Sequence, residues 1–95
     1  MPAVEFERDV SATLEELAAW IGKAYPEAER LDTGHFRIED GIAVLELVAT
    51  PGPVRQIALL RLPTLKLHYR FANGDSKARS ALLGRLDLYM HRGGG

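Results

Sequence analysis

Four turn signals cut the middle of this chain into short segments joined by tight reversals. Asp32-Thr33-Gly34, Asp40-Gly41, Pro51-Gly52-Pro53 and Asn73-Gly74 combine residues that tolerate positive φ with residues that fix φ or lack an amide donor. Between the signals the apolar residues step by two. From His35 to Glu39, Phe36 and Ile38 share a face. From Thr64 to Ala72, Leu65, Leu67, Tyr69 and Phe71 point one way and Lys66, His68 and Arg70 the other. That period predicts half-buried strands. Ile42 to Thr50 is largely apolar and predicts a central strand. Val54 to Leu62 predicts a further strand, which Pro63 bends or breaks before the next. Connections this tight favour an antiparallel meander.

The flanking segments are of two kinds. Ala3 to Val10 alternates, with Val4 and Phe6 opposite Glu5 and Glu7, and predicts a strand. Thr13 and Glu16 then form a capping-box pattern. Behind it Leu14, Leu17, Ala18, Ile21, Ala24 and Tyr25 recur at helical spacing until Pro26. After Asn73-Gly74, Asp75 or Ser76 can cap a last helix whose stripe is Ala78, Leu82, Leu86, Tyr89 and Met90, with Leu83 at its margin. The order is therefore β-α-β4-α. The expected fold is a single α+β domain over residues 1–95, an antiparallel sheet of about five strands with two helices packed on one face.

A chain of 95 residues buries roughly 60–70% of its unfolded surface, enough for one core. The absence of cysteine excludes disulfide and thiolate chemistry, and suits a reducing compartment. No apolar run approaches the length of a membrane span, and the stretch Met1 to Asp9 is too acidic for a signal peptide. A cytoplasmic domain that does not engage membranes is the expectation.

The formal charge of −1 hides a segregation. Through Gly52 there are eleven acids and four bases; from Pro53 onward there are eight bases and two acids. Such a split makes a cationic surface for an anionic partner, or two parts that neutralise each other on folding. The cationic reading centres on Lys66, His68 and Arg70 on one strand face, flanked by Arg55 and Arg61 on the preceding strand and by Lys77 and Arg79 on the last helix. Cations so arranged would hold phosphates and make binding salt-dependent. Against this, Tyr69 and Phe71 face inward, which leaves no stacking platform for exposed bases. Glu5, Glu7 and Glu46 can neutralise the stripe across strands.

Nothing in the sequence marks a catalytic residue, a cofactor or a metal site. His35, His68 and His91 lie on different elements without metal-ligand spacing. His68, between two cations, is the one histidine placed to act as a general base in a cleft, though an outward sheet residue is ordinarily just solvated. Asp32, Asp40 and Asp75 stand beside turn glycines, where local hydrogen bonding explains them. Ser76 and Ser80 lack a nucleophile elbow, and no glycine-rich phosphate loop occurs. Trp20 lies at the edge of the first helix's stripe, where an indole either covers core or is part-exposed for contact.

The element order resembles the TBP-like fold and, more loosely, the helix-grip fold of small ligand carriers. The stretch Leu62-Pro63-Thr64-Leu65 and the ending Arg92-Gly93-Gly94-Gly95 also resemble a small family of bacterial α+β domains, a resemblance that implies no activity. Gly94-Gly95 is similar to the ending of ubiquitin-like modifiers, but a helix before it and a different element order leave a glycine helix stop as the simpler account. These observations lead to a non-enzymatic module that binds itself, as a homodimer, or another protein. Nucleic-acid or other polyanion binding through the basic part is the alternative. A small-ligand carrier or enzyme, with its pocket between sheet and helices, ranks behind both.

Overall fold

A computed structural model describes residues 4–94. Gly95, the last residue of the Gly94-Gly95 ending, lies outside them, as does Ala3 at the expected start of the first strand. The chain runs β1 (Val4–Val10), α1 (Leu14–Ala24), β2 (Glu29–Asp32), β3 (His35–Asp40), β4 (Ala43–Pro51), β5 (Arg55–Ile57), β6 (Leu60–Leu62), β7 (Leu65–Asn73) and α2 (Ser76–Gly94). Five strands form one antiparallel sheet in the order β1-β7-β4-β3-β2. The two helices lie side by side on one of its faces. This is the α+β architecture that the periodicity predicts.

Two strands differ from that expectation. The segment Val54 to Leu62 contributes no strand to the main sheet; it reverses at Ala58-Leu59 and forms a separate two-stranded ribbon, β5–β6. The reversal expected at Pro51-Gly52-Pro53 is instead a passage out of the sheet, because prolines remove ladder donors without turning the chain. The fifth sheet strand is β2, Glu-Arg-Leu-Asp, which is exposed throughout and so shows no alternation.

The helices form where local chemistry predicts. Thr13 caps α1: its hydroxyl accepts from the Glu16 amide at 3.1 Å, and the Glu16 carboxylate accepts from the Thr13 amide at 3.0 Å. The Tyr25 amide closes the helix on the Ile21 carbonyl at 2.7 Å. Asp75 opens α2, its carboxylate accepting from the Ala78 amide at 2.8 Å.

Leu17 and Ile21 of α1 and Leu82 and Leu86 of α2 meet Leu45, Leu47, Leu67 and Tyr69 of the central strands, all fully buried. Trp20 joins this core rather than the surface. Tyr69 stacks on Phe6, ring centroids 4.6 Å apart. The alternation of β1 also puts Arg8 on the helix side. Its guanidinium lies over both rings and donates to the Asp87 carboxylate at 2.8 Å, tying α2 to the edge strand. Burial works against the Arg8 charge, but the hydrogen bond and charge of Asp87 outweigh it and hold its pKa above the usual arginine value. Burial pushes the Tyr69 hydroxyl up to about 12. At the other end of the helix layer Tyr25 donates to Asp40 at 2.5 Å beneath the Arg85 guanidinium. Burial first, and then the Asp40 hydrogen bond, raise its pKa well above that of a free tyrosine.

Candidate functional site: a projecting arm and an open sheet face

The β5–β6 ribbon grows out of the β4–β7 pair. Past Pro51 the ladder is carried by the Gly52 amide, which donates to the Thr64 carbonyl at 2.9 Å. The Thr64 hydroxyl donates to the Pro53 carbonyl at 2.7 Å. The Ser11 hydroxyl braces the other side by donating to the Pro63 carbonyl at 3.1 Å. These contacts fix the root. Beyond it, no arm residue belongs to the core or packs against it. The molecule measures 45 × 25 × 23 Å along its principal axes.

The arm is amphipathic. Its register pairs Arg55 with Leu62, Gln56 with Arg61 and Ile57 with Leu60. Cross-strand partners share a face, so Ile57, Leu60 and Leu62 lie together beside Arg55, while Gln56 and Arg61 occupy the other face. Two residues, Ala58 and Leu59, make the turn. Ala58 has φ 53°, a conformation that such turns ordinarily give to glycine. Leu59 at the tip is 97% exposed, Leu60 63%, Val54 54% and Ile57 47%. At the root, Gly52, Pro53, Val54 and Arg55 with Asp9, Thr64, Leu65 and Lys66 enclose a cleft of about 440 Å³.

The sheet face away from the helices is built differently. Lys66, His68 and Arg70 do stand in a row on it. On β1 they face Asp9, Glu7 and Glu5 in register, and on β4 they face Thr50, Val48 and Glu46. Arg37 continues one row between Glu46 and Glu29. That row therefore reads Glu5, Arg70, Glu46, Arg37, Glu29 across five strands, charges alternating in sign. The His68 Nε2 lies 3.4 Å from a Glu5 oxygen and the His35 Nε2 3.7 Å from a Glu46 oxygen. The acidic and basic parts of the chain thus meet within one molecule.

The other predicted cations are dispersed. Arg55 and Arg61 sit on the arm and not on a strand of the main sheet, where the stripe's neighbours are β1 and β4; Arg55, at the arm's root, lines the same cleft as Lys66. Lys77 is exposed on α2, and Arg79 donates to the Gly74 carbonyl at 2.7 Å. Among the described residues no three His, Asp or Glu side chains converge as metal ligands, and no helix is long and apolar enough to cross a membrane. The residues that sequence reasoning missed are Val54, Ile57, Leu59 and Leu60. Their signal was available: an apolar run with no neighbour of matching pattern, bounded by prolines at both ends. No protein-family model matches the chain, and no curated protein matches it.

Proposed function

We propose that this protein is a non-enzymatic cytoplasmic interaction module whose contact element is the β5–β6 arm. The observation that carries the reading is Leu59, a leucine held almost fully in solvent at the tip of an apolar ribbon by an alanine in a glycine conformation. A two-stranded hairpin alone is marginal in water, so an uncovered apolar ribbon is a device for contact rather than for stability. The exposed fractions of Val54, Ile57, Leu59 and Leu60 amount to between two and three aliphatic side chains. At about 1.5–3 kcal/mol per side chain, covering them yields ~4–8 kcal/mol per arm as an upper bound. That is comparable with the ~4–15 kcal/mol entropic cost of association, which makes a reversible contact the natural outcome.

Two alternatives fit less well. A carrier or enzyme pocket between sheet and helices would need space that Leu45, Leu47, Leu67, Tyr69, Leu82 and Leu86 fill. A polyanion surface would need cations gathered without intervening acids, whereas Asp9, Glu7 and Glu5 line the stripe. The test is a photo-reactive phenylalanine analogue at position 59, with the same residue at exposed Ser80 as control. Protein adducts should form from the arm well above the control level. Equal yields from both positions would refute the reading.

A further inference from the structure

The arm and the cleft at its root share one electrostatic character. Arg55 and Lys66 line the cleft against a single acid, Asp9, so its charged lining sums to 2 − 1 = +1. Past the root the arm carries Arg61 and no acid. Among the described residues none of Arg55, Arg61 and Lys66 is ion-paired. Beside these cations stand the apolar cleft wall, Pro53, Val54 and Leu65, and the exposed Ile57, Leu59 and Leu60 of the ribbon. We propose that arm and cleft take an extended acidic-apolar segment of another protein, one apolar side chain seated in the cleft and its flanking carboxylates on Arg55 and Lys66. The inference rests on the arm being the contact element and names the chemistry of its partner.

Each part of that chemistry answers a feature of the surface. The cleft, of about 440 Å³, is ample for one large apolar side chain. Arg55 shares the apolar face of the ribbon with Ile57, Leu60 and Leu62, so a segment laid on that face meets aliphatic side chains and a guanidinium together. A guanidinium holds a carboxylate through two parallel hydrogen bonds, which fixes the segment's register. The ribbon has only two strands, so each keeps an edge without a ladder partner among the described residues. Such an edge offers backbone hydrogen bonds to an extended segment. Neither the arm nor the cleft lining contains an aromatic side chain. Nucleic acid would find no stacking surface there and would leave the leucines uncovered. A second copy of this chain brings the same cations to the contact, and repulsion of like charges sets it aside as the occupant. Asp9 faces Lys66 in register and opposes an incoming carboxylate, so its removal should tighten binding.

The probe is a phage-displayed library of random peptides, selected on the wild-type protein and counter-selected on a variant carrying both Val54→Asp and Leu59→Asp. Enriched sequences should join Leu, Ile or Phe to Asp or Glu. Basic or uncharged sequences, or no enrichment, overturn the proposal. A labelled synthetic peptide of the enriched sequence is then titrated by fluorescence anisotropy. Arg55→Gln and Lys66→Gln should each weaken its binding about fivefold, and Asp9→Asn should tighten it about threefold. Arg61, on the other face of the ribbon with Gln56, is the control: Arg61→Gln should change binding by less than about twofold, since water screens it from the bound segment. Equal losses at positions 55 and 61, or weaker binding by Asp9→Asn, overturn the assignment of the cleft. The photoadduct at position 59 separates this failure from that of the underlying reading. If it forms while the selected peptides are not acidic, or forms with a second copy, the arm remains a contact element and the partner's chemistry is wrong. If no adduct forms, both readings fall.

Discussion

Replacing Gly74 by alanine is the sharpest test of how β7 is joined to α2. Gly74 has φ +112°, and a Cβ built on it would stand 2.9 Å from the Ala43 Cα and 3.2 Å from the Ala43 Cβ. Neither neighbour is the end of a flexible side chain. Ala43 is fully buried at the start of β4, and Val44 beside it pairs with Asn73. The substitution therefore adds a strained conformation, about 1–3 kcal/mol, to an overpacking cost of about 1–3 kcal/mol. The sum, ~2–6 kcal/mol, is a large part of the ~5–15 kcal/mol that holds a domain of this size. Each kcal/mol moves the melting temperature by about 4–8 °C here. Urea titration and thermal melting followed by circular dichroism measure the loss. Gly22→Ala and Gly84→Ala are the internal controls. Both glycines are exposed in helices, with nothing within 4 Å of an added Cβ, so each substitution should stabilise by about 0.5–1 kcal/mol. A Gly74→Ala protein within 0.5 kcal/mol of wild type would refute the close approach described for this junction.

Leu47→Ala should cost about 2–5 kcal/mol in the same titrations, since Leu47 is fully buried between the helices and the centre of the sheet; a loss under 1 kcal/mol would contradict that packing. A double-mutant cycle on Arg8→Met and Asp87→Leu should give a coupling of about 1 kcal/mol or less, because both side chains keep part of their hydration. In alkali, Tyr69 keeps its proton up to about 12 when folded but only to 10 when unfolded. The unfolded state then binds fewer protons, so stability falls as pH rises from 10 to about 12. Comparing wild type with Tyr69→Phe isolates ~2–3 kcal/mol of that fall; parallel curves would refute the assignment. Ala58→Gly should relieve the turn without changing the global unfolding midpoint, while hydrogen exchange of the arm amides slows.

The helices and the inner strands were legible because each carries its period and its caps in the chain itself. Thr13 and Glu16 mark the start of α1 before any tertiary contact is considered, and the alternation of β7 names the residues that become core. Trp20 was ambiguous at the edge of a stripe, and it is buried because the neighbouring helix and the sheet widen the covered face beyond the stripe's centre. β2 was illegible for the opposite reason. It is an edge strand with both faces in water, held by pairing with β3 and by Arg30, which reaches Glu15 at 3.1 Å and lies over Phe36. Backbone pairing leaves no apolar pattern to read.

The arm escaped notice through a single residue. A glycine at position 58 would have marked a two-residue hairpin turn, and Val54 to Leu62 would have divided correctly. Alanine there conceals the reversal and makes the run look like one sheet strand, which in turn places Arg55 and Arg61 beside Lys66 and Arg70. Moving those two cations onto the arm changes what the charge segregation means. The β7 stripe is left between the acids of β1 and β4 and is accounted for within the fold. On the ribbon, Arg55 shares the root cleft with Asp9 and Lys66, and Arg61 lies two residues from the most exposed leucine. The asymmetry that points, in the sequence, to an anionic partner for a sheet face is thus balanced within that face by acids in register with it, and what the fold leaves uncovered is the apolar side of the arm.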